Sequence, residues 1–224
     1  MIVVAVRIGD RYGPEYEDYI KSKLHDYEII WIRKPIREDV ALQWNKMYGM
    51  SLDVDEPICV MDIDVLLTND YKQIFEYPIE PGQFIAMPEW WRVSDTEYTI
   101  NGGFFKYYPK ECRYIYDEFM SNVDYWQEYY IKNGFTTGPV NGEQYFVFDQ
   151  VKKKLDIKLM PKSWFTRWKS KYEDTDRTYT EWQYAITKKY QEASGNKYVW
   201  LGDWHPDIKL IHFTKAHNKP PHNS

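Results

Sequence analysis

The stretch that most constrains this chain is Ile58–Asp64, ICVMDID, in which an apolar run ends directly in two aspartates. Side chains alternate along a strand, so Asp62 and Asp64 share one face while Ile63 takes the other. Two carboxylates side by side at a strand end repel unless positive charge lies between them. A divalent cation meets that need, because carboxylates are hard oxygen ligands suited to Mg²⁺ or Mn²⁺, and such ions in turn take a substrate's phosphates. The plainer alternative is a pair of solvated aspartates at a strand terminus. The apolar Val65, Leu66 and Leu67 that follow at once weaken it, since the pair is not in an open polar loop.

The chain on either side fits an α/β fold. Met1–Ile8 reads as a buried strand, broken by Gly9, Asp10, Gly13 and Pro14. Glu15–Leu24 reads as a helix and Tyr27–Ile32 as a second strand. Val40, Trp44, Met47 and Tyr48 recur at helical spacing and predict a helix over Glu38–Met50. Pro57–Ile63 is the third strand. Strand, helix, strand, helix, strand is the start of a doubly wound sheet, whose right-handed crossovers bring the strand ends to one rim where ligands bind. Further on, Gln83–Met87, Gly103–Tyr107, Ile157–Met160 and Ile208–Phe213 read as strands, and Lys110–Tyr130 and Glu143–Lys153 as helices. No repeat, low-complexity tract or linker divides the chain. Residues 1–224 are expected to form one domain, with the polar tail Ala216–Ser224 partly disordered.

Composition narrows the partners. The net charge of −5 argues against a nucleic-acid scaffold, which would carry a basic stripe. The two cysteines, Cys59 and Cys112, make neither a disulfide framework nor a paired metal motif. The N-terminus lacks the charge pattern of a signal peptide, and no run approaches the roughly 20 apolar residues of a membrane helix. The expectation is a soluble, cytoplasmic protein without a membrane span. Aromatic residues are 18% of the chain, with 21 Tyr and 10 Trp. Core packing accounts for most of them, but Tyr and Trp also offer flat faces to a sugar or a base.

Five short motifs occur in order: VVAVRIGDRY at Val3–Tyr12, MDIDVLL at Met61–Leu67, INGGFFKY at Ile100–Tyr107, GPVNGEQYF at Gly138–Phe146 and IKLIHFTKAHNKP at Ile208–Pro220. Together they resemble the glycogenin-like glycosyltransferases, family 8, over nearly the whole chain. The resemblance implies a single GT-A domain with a Rossmann-like mixed sheet, Mn²⁺ (Mg²⁺ as the alternative) and a UDP-sugar donor. It also implies a glycan or glycoprotein acceptor and retention at the anomeric carbon. By that match Val6, Ile8, Gly9 and Asp10 line the base and ribose. Tyr12 stacks on uracil or is simply a tyrosine of the turn. Lys46 matches a lysine that reaches the donor sugar and phosphates. Asp62 and Asp64, with Ile63 between them, take the metal-motif positions, and His212 is the third protein ligand. Asn101 reaches donor hydroxyls, with Gly102 and Gly103 letting the backbone approach. Glu143 and Gln144 face the reacting carbon, and Lys219, with Lys215 beside it, neutralises the leaving diphosphate.

The sequence also departs from the pattern. Glu143 stands where Asp is usual, so a role as stabiliser in a retaining enzyme and one as base in an inverting enzyme both stay open. The glycine after His-Phe is replaced, Pro221 stands for Trp, and the spacing to Lys219 is one residue longer. PEWW at Pro88–Trp91 and SWFTRW at Ser163–Trp168 are candidate acceptor platforms by aromatic density alone, and core packing is the better account of most of those rings. Two other functions compete. DIDVLLTND and GDWHPD superficially resemble acidic motifs of haloacid-dehalogenase-type phosphatases, although two strands precede the first here. A non-catalytic sugar-binding protein on the same fold is the second.

Overall fold

A computed structural model of the chain describes residues 1–89, 100–134, 142–170, 188, 199–201 and 206–213. The fold is α/β, with a mixed sheet flanked by helices. β1 (Ile2–Val6), β2 (Glu28–Ile32), β3 (Ile58–Met61), β5 (Gln83–Pro88), β6 (Ile100–Tyr107) and β7 (Asp156–Leu159) form the main sheet in the order β2-β1-β3-β6-β5-β7. β1 runs parallel to β2 and β3, whereas β6 is antiparallel to both β3 and β5.

The central strands are apolar on both sides because both sides are covered. Along β3, Ile58 and Val60 enter one core with Trp44, Phe105 and Phe119, while Cys59 and Met61 enter the other with Ile20, Phe75 and Phe104. Helix α1 (Pro14–Lys23) covers the second face. Helices α3 (Pro109–Ser121), α4 (Val123–Lys132) and α5 (Glu143–Val151) carry buried residues of the first core; the short α2 (Lys72–Phe75) supplies Ile74 and Phe75 to the second.

Two helices differ from their sequence reading. The segment expected as a helix over Glu38–Met50 is a 3₁₀ helix, Leu42–Ser51. At three residues per turn, Trp44, Met47 and Met50 stack on one face, and each is at most 1% exposed. The expected helix Lys110–Tyr130 is two helices, broken at Asn122. That residue leaves helical geometry (φ −155°, ψ 73°) and its side chain accepts from the Tyr125 N–H, which caps α4.

A second sheet, ordered β4-β10-β8-β9, branches from the end of β3. It comprises β4 (Val65–Leu67), β8 (Phe165–Ser170), β9 (Val199–Leu201) and β10 (Leu210–Phe213). β8 and β9 were not expected as strands. The apolar Val65–Leu67 run is thus a separate strand, antiparallel to β10 with Val65 opposite His212. The chain crosses between sheets at Asp62–Asp64. There the Asp62 N–H donates to the Gly103 carbonyl (2.9 Å) and the Phe213 N–H to the Asp64 carbonyl (2.8 Å). Among the described residues, no helix is long and apolar enough to cross a membrane.

Candidate active site

The sheet crossover opens into a cavity of about 370 Å³. It is lined by Val6, Ile8, Tyr12, Lys46, Asp62, Ile63, Asp64, Asn101, Gly102, Gly103, Glu143, Gln144 and His212, which the sequence singles out, together with Arg11, Leu42 and Gln43. Gly9 and Asp10 lie on the exposed turn beside the cavity and not in its lining. Lys215 and Lys219 lie outside the described residues.

The floor is acidic. Ligand atoms of Asp62, Asp64 and His212 lie within 4.8 Å of one another. His212 Nε2 is 3.2 Å from Asp62 Oδ2 and 3.5 Å from Asp64 Oδ1. Burial works against a charged imidazole here, but the two carboxylates outweigh it and raise the His212 pKa to about 9. A proton on the ring thereby stands where a metal cation fits: two carboxylates and one imidazole converge, and their negative charge is what such an ion neutralises. The donor set is of the kind that takes a divalent ion such as Mn²⁺ or Mg²⁺.

Lys46 reaches this floor from the 3₁₀ helix and is 4% exposed. Its ammonium lies 2.5 Å from Asp62 Oδ1 and 3.4 Å from Glu143 Oε1, and donates to the Gly102 carbonyl at 2.7 Å. An ammonium has three donors, and all three have acceptors inside the protein. Burial disfavours the charge, yet Asp62 and Glu143 overcome it and raise the lysine's pKa. Asp62 is held well below the usual carboxylate range, because Lys46 and His212 outweigh its own burial. Glu143 is pushed the other way, by burial first and the nearby Asp62 charge next, against the pull of Lys46.

The wall opposite comes from the start of β6 and of α5. The Asn101 side-chain oxygen accepts from the Gly103 N–H (2.8 Å), and the Gln144 side-chain oxygen accepts from the Gly102 N–H (3.1 Å). A Cβ on Gly102 would meet Glu143 Oε1 at 2.6 Å, so only glycine lets this carboxylate lie against the strand. Gly142 has φ +116°, a left-handed value that sets the sharp entry into α5.

Some site features escaped the sequence reading. Glu89, 4% exposed, accepts from Gln144 Nε2 at 3.2 Å and fixes that amide from behind. It lies inside the PEWW motif, where the tryptophans drew attention; Trp90 and Trp91 fall outside the described residues. Trp164 of the second motif packs edge-on against Tyr77, with Lys209 over its ring, which is the core-packing alternative. Leu42 lines the cavity with φ +23°, a strained value for a bulky residue. Asn45 holds it by donating to the Leu42 carbonyl (2.8 Å), and Gln127 by accepting from the Ala41 N–H (2.7 Å). No sequence signal marks such a backbone.

No family model and no curated protein matches the sequence. Solved structures do resemble the fold. The galactosyltransferase LgtC, in complex with donor and acceptor sugar analogues, superposes with a TM-score of 0.53 at 12% identity, covering 96% of this chain and 87% of LgtC. The glycosyltransferase GlyE of Streptococcus pneumoniae TIGR4 gives 0.55 at 11% identity, covering 96% of this chain and 55% of GlyE. The chain has the GT-A glycosyltransferase fold.

Proposed function

We propose that this chain is a metal-dependent glycosyltransferase that moves a sugar from a UDP-sugar to a hydroxyl acceptor on a glycan or glycoprotein. The observation that carries the reading is the convergence of Asp62, Asp64 and His212 in one cavity at the sheet crossover of a GT-A fold. In this reading residues 1–224 act as one domain, and the protein works in the cytoplasm.

Asp62, Asp64 and His212 would hold the divalent ion, Mn²⁺ with Mg²⁺ as the alternative, and when bound it would supply Lewis-acid stabilisation of the leaving diphosphate. Lys46 keeps Asp62 ionised and anchors Glu143, so its charge acts on the floor of the site and not as a free arm. Val6, Ile8, Gly9, Asp10 and Tyr12 receive the nucleoside. Asn101 and Gly102 border the donor sugar. Glu143 and Gln144 face the reacting carbon, where a pre-positioned carboxylate responds to oxocarbenium charge in a retaining transfer. Lys215 and Lys219 stay with the leaving diphosphate.

Among the described residues no observation favours the phosphatase alternative. Asp207 of its second acidic motif is exposed on a turn and does not line the cavity. Calorimetric titration with UDP, GDP and several UDP-sugars, with and without Mn²⁺, tests the proposal. UDP binding that requires Mn²⁺ and is lost in Asp62→Ala is expected. A protein that binds no nucleotide with any metal overturns it.

A further inference from the structure

Tyr12 sits between the nucleoside-side loop and the acidic floor. Its hydroxyl donates to Asp64 Oδ2 at 2.8 Å. The ring is fixed as well. It meets Tyr16 edge-on at 4.9 Å between centroids, and the Arg11 guanidinium lies over it at 5.1 Å.

The backbone that carries this hydroxyl is tied down from the other side. An Arg7 terminal nitrogen donates to the Tyr12 carbonyl (3.2 Å), while Arg7 Nε donates to Glu17 (2.5 Å). Glu17 is 4% exposed and takes two further bonds from Arg33, at 2.9 and 2.6 Å. A continuous chain of charge-assisted hydrogen bonds therefore runs from the ends of β1 and β2 through α1 to the carbonyl of the residue that holds Asp64.

We infer that Tyr12 is a positioning residue of the metal site, whose hydroxyl orients the Asp64 carboxylate toward the ion. The inference rests on the metal site proposed above. A carboxylate with one oxygen occupied by Tyr12 presents the other: Oδ2 takes the phenol, and Oδ1 is the oxygen that faces His212. Outer partners of this kind fix the orientation and basicity of a ligand, and their loss typically weakens metal affinity about 10- to 100-fold. One side chain then serves two purposes, with its ring on the nucleoside side and its hydroxyl on the metal side.

Mn²⁺ binding without nucleotide, followed by loss of the free-ion electron paramagnetic resonance signal, separates the two. Wild type, Tyr12→Phe and Asp64→Ala are compared, with thermal melts to show that each is folded. The expected result is tight binding in wild type, none in Asp64→Ala, and a Kd weakened about 10- to 100-fold in Tyr12→Phe. Wild-type Mn²⁺ affinity in Tyr12→Phe, with Asp64→Ala inactive in binding, overturns the inference and leaves the metal site standing. Absence of Mn²⁺ binding in wild type, or unchanged binding in Asp64→Ala, removes the metal site and this inference with it.

Discussion

Two partly buried ionic clusters, joined through Tyr12, have opposite balances in this protein. Around Glu17, one carboxylate meets Arg7, Arg33 and Lys21. Around Asp62, three carboxylates (Asp62, Asp64 and Glu143) share Lys46 and a histidine. The first cluster is complete in itself: every Glu17 bond is to a cation, and the Arg33 hydrogen bond above all holds its carboxyl near 2. The second relies on a proton at His212 and still leaves Glu143 pushed upward. A cluster with cations in excess staples a fold. In the proposed reading a cluster short of cations receives one, and that difference would separate the structural site from the chemical one.

The largest effect expected from this contrast is at Asp64. Asp64→Ala should lower metal-dependent transfer by at least about 100-fold while the protein stays folded. Mn²⁺ at about 100 times its Kd should stabilise the wild type by ~2.7 kcal/mol, raising Tm by roughly 5–10 °C, and EDTA should reverse it. Asp64→Ala should show no such rise. A metal-induced Tm shift that survives in Asp64→Ala would erase the distinction between the clusters.

Glu17→Gln should do the reverse. It removes charge from bonds that tie α1 to the ends of β1 and β2, and should cost about 1.5–3 kcal/mol in urea unfolding. The Mn²⁺-induced rise in Tm should persist. A variant as stable as wild type would show that the Glu17 cluster is ornamental.

The smallest effect is in the pH profile. The Glu17 carboxyl titrates near 2 in the fold against an ordinary value of 4.5. A lowered carboxyl pKa contributes stability that is full above the unfolded value and is lost as pH falls toward the folded one. The urea midpoint of wild type should therefore fall between about pH 4.5 and 2, and that part of the fall should be missing in Glu17→Gln. Parallel profiles would mean that other carboxylates dominate the acid limb.

The sequence by itself determined the local geometry. Unbroken apolar runs such as Val3–Ala5 and Ile58–Met61 mark strands covered on both faces, because such patterns depend only on residues a few positions apart, whereas strand alternation did not extend to Asp62–Asp64, which lie past the end of β3 with Ile63 lining the same cavity. The same local logic misjudged the 3₁₀ helix, since Trp44 and Met47 fit either helical period and Tyr48 favours the α spacing, until Met50 is seen packed in line with Trp44 and Met47. It missed the break at Asn122, where one capping side chain ends an otherwise helical run. Tertiary structure alone decided the rest. It sends Val65–Leu67 into a second sheet and so brings His212 to within 3.2 Å of Asp62 from 150 residues away. It spends the Lys46 charge inside the site, turns Glu89 behind Gln144, and gives the Tyr12 hydroxyl to Asp64. Each of these depends on which strands meet at the crossover, and long-range pairing of that kind leaves no periodic trace along the chain.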